Sequence, residues 1–150
     1  MRYILDSDIL TALEDSETVG HREVFSRMGR LAEDDALCIS VATLYEYAYG
    51  IYNAPDQPMA ERLSNARETL LELFEVIPLT IKGADVYGKL KAQYQKNIGT
   101  KSSALKRHNM DLILASTALE QGAILVSGDR LFETLSGLTP QLRLENWLLP

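Results

Sequence analysis

The chain has 150 residues, 46% hydrophobic and 24% charged, which suits one ordinary globular domain across residues 1–150 and excludes collagen-like or disordered architectures. Its 21 acidic against 15 basic residues give a net charge of −6, which excludes binding nucleic acid by bulk attraction and limits any such contact to a local patch. The single cysteine, Cys38, excludes an internal disulfide and fits a reducing compartment. The apolar stretch at 3–5 is too short for a signal peptide, and the longest uncharged helical stretch, 112–119, falls far short of the roughly 20 residues that cross a bilayer. A cytoplasmic protein without membrane contact is expected.

Residues 3–5 are aliphatic and read as a strand, with Asp6 following at once. A second aliphatic run at 37–39 ends at Ser40, a good helix N-cap. The apolar side chains at 41, 44, 45, 48, 51 and 52 beyond it have the spacing of one buried helical stripe. That helix carries Glu46, an acid set among Leu44, Tyr45, Tyr47 and Ala48 and so in need of a partner. It also holds four of the seven tyrosines, Tyr45, Tyr47, Tyr49 and Tyr52. Apolar side chains on more than one face suggest burial against both the domain and a partner.

Pro58 can open the next helix, with Leu63, Leu70, Leu71 and Phe74 at helical spacing, before a strand at 76–77 that Pro78 ends. Thr80 can cap a helix through Val86, Tyr87, Leu90 and Tyr94 to about Ile98, where Gly99 stops it and a polar loop follows. From about Asn109 a helix runs to Gly122 and leads into a strand at 124–126, with 142–144 a candidate fifth. Strands alternating with helices predict an α/β fold with a mainly parallel sheet of four or five strands covered on both faces.

In such sheets ligands bind beyond the carboxyl ends of the strands. Asp6 directly follows the first strand, and Asp129 lies three residues past Val126 in Val126-Ser127-Gly128-Asp129. Asp111 opens a helix, where the helix dipole alone favours a carboxylate by about 0.3–1 kcal/mol. Taken singly these acids read as turn caps and a helix start. If they converge, each close pair repels by about 4 kcal/mol at about 4 Å and an effective dielectric near 20, which a cation or protonation must offset. An all-oxygen set suits Mg²⁺, or Mn²⁺ in its place. His21, His108 and Cys38 show no zinc-ligand spacing. The best local basic patch is Lys101, Lys106 and Arg107, just before Asp111, with Arg130 beside Asp129 a second site for phosphates.

Four blocks resemble the PIN-domain family, and within it the VapC-type toxins of type II toxin–antitoxin systems. Tyr-Ile-Leu-Asp-Ser-Asp-Ile-Leu at 3–10 is similar to the family's opening strand with its first acid. Ile-Ser-Val-Ala-Thr-Leu-Tyr-Glu-Tyr-Ala-Tyr-Gly at 39–50 resembles its Glu-bearing helix. Met-Asp-Leu-Ile-Leu-Ala-Ser-Thr-Ala-Leu at 110–119 and Leu-Val-Ser-Gly-Asp-Arg-Leu-Phe at 125–132 resemble the third and fourth blocks. The resemblance implies a three-layer α/β/α sandwich and a Mg²⁺-dependent endoribonuclease. Asp6, Glu46, Asp111 and Asp129 would be acidic metal ligands, Ser127 the small hydroxyl residue of the fourth block, and RNA the substrate. It also implies a homodimer and a cognate antitoxin as partners. Two departures stand out: Asp8 replaces a common Asn and is a candidate further ligand, and Gly128 replaces a larger polar residue. Asp-Ser-Asp-Ile-Leu-Thr at 6–11 also looks like the nucleophile motif of haloacid-dehalogenase-type phosphatases, with Asp6 attacking phosphorus and Asp8 as acid or base. That reading leaves Glu46 and Asp111 unused. A third is a non-catalytic PIN-like interaction module.

Overall fold

The aliphatic residues of the central strands divide their side chains between two cores, as the period-two alternation of a strand requires. Ile4, Cys38 and Leu125 belong to one buried cluster; their neighbours Leu5, Ile39 and Val126 belong to the other. A sheet apolar on both faces must be covered on both, and the helices do this. The architecture comes from a computed structural model that describes residues 1–99 and 101–150, the side chains at 98, 102 and 104 excepted.

In chain order the elements are β1 (Arg2–Leu5), α1 (Ser7–Glu14), α2 (His21–Met28), β2 (Ala36–Ser40), α3 (Val41–Tyr52), α4 (Gln57–Leu73) and β3 (Glu75–Ile77). There follow α5 (Ile81–Ile98), α6 (Ser102–Arg107), α7 (Asn109–Gln121), β4 (Ile124–Val126), α8 (Arg130–Leu138) and β5 (Arg143–Glu145). The strands run in the order β3-β2-β1-β4-β5, all neighbours parallel, with Ile4 opposite both Cys38 and Leu125. Leu90, Tyr94, Leu112, Ala115, Phe132 and Leu135 of α5, α7 and α8 cover one face. Ile9, Leu10, Val24 and Leu70 of α1, α2 and α4 cover the other, together with Trp147. This is the expected three-layer α/β/α sandwich, with five strands. The chain leaves β1 towards β2 on one side and returns to β4 on the other, so the point where connections diverge lies at the end of β1, beside Asp6.

Local signals act as their chemistry predicts. Ser40 caps α3 by accepting the Ala42 amide at 3.2 Å, and Thr80 caps α5 through the Gly83 amide at 2.8 Å. Gly122 ends α7 at φ +58°, a conformation that suits glycine, and turns the chain into β4. Burial and the nearby Glu75 push the Cys38 thiol up to about 11, which leaves it an inert core residue.

Pro58 falls in the first turn of α4, as expected, beneath an Asp56 cap that accepts the Met59 amide at 2.9 Å. Several expectations need correction. The polar segment after Gly99 contains the short helix α6, and the last strand is Arg143–Glu145, one residue later than predicted. The stripe expected to be buried in α3 is only partly so: Val41, Leu44, Ala48 and Ile51 are half-buried, Tyr45 is 65% exposed and Tyr52 90%, and the fully buried positions are Ala42 and Thr43. The helix packs on α4, α7 and β2 and sets Leu44 and Tyr47 against the second core, which leaves Tyr45 and Tyr52 outside. No described helix is long and apolar enough to cross a membrane. A cleft of about 640 Å³ between α1, α2 and α4 is lined by Phe25, Leu70 and Leu73 beside Glu14 and Arg62, and none of the four acids borders it.

Candidate metal centre

Asp6 is the first residue after β1, and two sets of bonds lock it in place. Its backbone N–H extends the sheet ladder to the Val126 carbonyl at 3.0 Å. Its side chain caps α1, with Oδ1 accepting the Ser7 amide at 2.7 Å and Oδ2 accepting Ser127 Oγ at 2.8 Å. Burial pushes its carboxyl up to about 6, opposed by the Ser127 bond and reinforced by the charges of Asp8 and Asp111.

Asp6, Glu46 and Asp111, from the end of β1, the middle of α3 and the first turn of α7, line one narrow cleft with Ala42, Thr43, Met110 and Leu114. Burial raises the pKa of Glu46, and the Asp111 charge raises it further. The partner expected for Glu46 within the protein is not found. Among the described residues it has no hydrogen bond or ion pair, because it sits at the cleft's accessible rim. Burial also raises the pKa of Asp111, and Asp129 adds to this, while a hydrogen bond from His108 opposes it. His108 Nδ1 lies 3.3 Å from Asp111 Oδ2. In sequence His108 belongs to the basic segment before Asp111 and shows no zinc-ligand spacing; its spacing of three from Asp111, about one helical turn, is the signal for this contact.

Asp129 stands apart from the cleft lining. It is exposed and caps α8 by accepting the Leu131 amide at 2.8 Å, so the ordinary turn-cap reading of this residue is realised. It still lies near enough for its charge to raise both Asp8 and Asp111. Ser127, 1% exposed, joins the two regions by donating to Asp6 and accepting the Asp129 amide at 3.0 Å.

Residues 3–138 match the PIN domain family. The chain belongs to that family. Its fold matches a chain of VapBC2 from Rickettsia felis, a structure bound to a fragment of promoter DNA, with a TM-score of 0.77 at 25% identity over 98% of this chain and 99% of that one. VapBC-1 from nontypeable Haemophilus influenzae gives 0.78 at 24% identity over 99% and 100% of the two chains. FitAcB from Neisseria gonorrhoeae gives 0.71 at 17% identity over 97% of each. No curated protein sequence gives a significant match.

The donor set of this PIN domain fits a hard cation. Asp6, Glu46 and Asp111 offer only oxygen, the donor chemistry that Mg²⁺ takes. As they stand, no three acidic, histidine or cysteine side chains among the described residues are placed to hold an ion together. The phosphatase reading fares worse, because both oxygens of Asp8, its acid or base, already accept backbone amides. Lys101, Lys106, Arg107 and Arg130 are all exposed, and none pairs with an acid among the described residues. Lys106 and Arg107 end the helix that leads through His108 into Asp111.

Asp6, Asp8, Glu46 and Asp111 all have raised pKa values in the fold. An acid whose folded pKa is raised gives stability that is present below its ordinary value and lost as pH rises through the folded one. For Asp6 that window runs from 3.8 to about 6. In chelator, thermal melts should therefore show lower stability at pH 7.5 than at pH 5. Asp6→Asn should recover about 1–2 kcal/mol at pH 7.5 after allowance for solvent screening. A variant that melts with the parent's pH dependence would contradict the assignment.

Proposed function

We propose that the chain is a Mg²⁺-dependent endoribonuclease, the toxin of a toxin–antitoxin pair. The observation that carries this reading is the convergence of Asp6, Glu46 and Asp111 in one cleft without a compensating Lys or Arg. These three would hold Mg²⁺, or Mn²⁺ in its place, with Asp129 contributing from the β4–α8 loop. When bound, such a cation lowers the pKa of a water and stabilises the leaving oxyanion of a phosphodiester.

The chain's own residues supply the rest. Ser127 and the Ser7 amide hold Asp6 in one orientation, so no side-chain freedom is lost when a ligand arrives. Glu46 has a raised pKa and no partner among the described residues, which makes it the carboxylate freest to accept a proton from the attacking water. Lys101, Lys106, Arg107 and Arg130 offer an acidic protein a local means of holding RNA phosphates, which positions the strand without reading its sequence. The toxin assignment draws on the resemblance to VapC-type toxins, and the antitoxin partner on the VapBC and FitAB complexes of similar fold.

A second copy of the chain is the proposed occupant of the α3 tyrosine face, where Tyr45, Tyr49 and Tyr52 are 65%, 70% and 90% exposed. Tyrosines on one stripe provide rigid contact area with a polar end, as interfaces favour. Tyr47 takes no part, since it is half-buried and donates to Glu14 Oε1 at 2.5 Å. Sedimentation should give a dimer that Tyr49→Glu dissociates while leaving the melting temperature of the fold within a few degrees; a monomeric parent would remove this part of the proposal.

The enzymatic reading is tested by incubating the protein with mixed RNA and, separately, with a phosphomonoester, each with Mg²⁺ or chelator. Cleavage of RNA should require Mg²⁺ and fall at least about 100-fold in Asp6→Asn, the scale of losing one aligned group at a reaction centre. Turnover of the phosphomonoester with intact RNA would favour the phosphatase, and inactivity on both would favour an interaction module.

A further inference from the structure

Asp8 lies in the first turn of α1, two residues beyond Asp6, and both of its carboxylate oxygens are occupied. Oδ1 accepts the Ile9 amide at 2.7 Å. Oδ2 accepts the Gly128 amide, also at 2.7 Å, and lies 3.5 Å from Ser127 Oγ. Gly128 comes so close that a Cβ added to it would meet Asp8 Oδ2 at 3.2 Å and a Leu148 methyl at 2.8 Å. Without that Cβ the amide can reach the carboxylate. The residues flanking Gly128 are Ser127, which donates to Asp6, and Asp129, which caps α8. One carboxylate thus ties the start of α1 to the loop that delivers both. Asp8 itself does not line the cleft of Asp6, Glu46 and Asp111.

We infer that Asp8 is a positioning residue and not a metal ligand: its carboxylate clamps the Gly128 amide and thereby sets Ser127 against Asp6 and Asp129 at the start of α8. Two charge-assisted bonds from backbone amides are stronger than neutral ones. Both oxygens of Asp6 are engaged as well, and what sets Asp8 apart is that it does not line the cleft. The catalytic consequence rests on the nuclease reading above, whereas the clamp itself does not.

The test follows the Gly128 amide by NMR in the full-length, isotope-labelled, metal-free protein. A carboxylate-bound amide resonates downfield and exchanges slowly; both features should vanish in Asp8→Ala and be reduced in Asp8→Asn, whose single carboxamide oxygen can accept the Gly128 or the Ile9 amide but not both. In Mg²⁺-dependent RNA cleavage, Asp8→Ala should lower kcat by about 10- to 100-fold, the range for groups that orient a metal site. KM should hold, and Asp8→Asn should recover part of the loss. Titration with Mn²⁺ should give Asp8→Asn the parent's affinity, in contrast to Asp6→Asn. Loss of Mn²⁺ binding in Asp8→Asn to the extent seen in Asp6→Asn would make Asp8 a ligand and overturn the inference. So would an unshifted Gly128 amide in Asp8→Ala. If Asp8→Ala does not fold, the Asp8→Asn amide and its Mn²⁺ affinity decide. A parent that cleaves no RNA with any metal would defeat the nuclease reading, and the amide would still decide the clamp.

Discussion

The bond from Ser127 to Asp6 joins the two halves of the sheet at the place where their connections diverge. Asp6 leaves β1, Ser127 leaves β4, and these strands are neighbours in register, Leu5 opposite Val126. The backbone bond from Asp6 to Val126 fixes the same junction. Parallel pairing puts the carboxyl ends of both strands at one edge, so residues 121 positions apart come within 2.8 Å. The cleft depends on that edge. Once Asp6 is held there, α3 and α7 need only lean over it to bring Glu46 and Asp111 alongside.

Holding acids together opposes folding at neutral pH, since burial and mutual charge raise the pKa of Asp6, Glu46 and Asp111 alike. Hydrophobic burial in two separate cores outweighs this strain. The side chains beneath the site, Ile4, Leu5, Ile39, Leu125 and Val126, are all 6% exposed or less. A site that is electrostatically strained when empty is poised to gain from a cation, and under the proposed reading the same carboxylates that destabilise the fold would become its ligands.

Much of this was legible in the sequence because its signals are local. Aliphatic runs of two or three residues, Ser40 and Thr80 as caps, and Gly99 and Gly122 as stops all report on their own neighbourhood. Asp6 and Glu46 stand out because each breaks a local pattern, an acid at a strand's end and an acid in an apolar helix, whereas Asp111 sits where the helix dipole favours an acid and is singled out by the resemblance of its block. What could not be read depends on long-range packing. Which face of α3 turns inward is decided by α4, α7 and β2, and an apolar tyrosine stripe gives the opposite impression. The pairing of Asp8 with the Gly128 amide spans 120 positions, and nothing near Asp8 announces it. Asp129 shows the converse, because its local role as a helix cap is real and masks any further one.

The central claim is that Asp6, Glu46 and Asp111 together hold a divalent cation. Calorimetric titration of Mn²⁺ into metal-free protein at pH 7.5 tests it without reference to any substrate. The account predicts saturable binding, weakened about tenfold or more in Glu46→Gln, since each carboxylate contributes charge to a hard-cation site. An isotherm with no binding in the parent, or one that Glu46→Gln leaves unchanged, would contradict it.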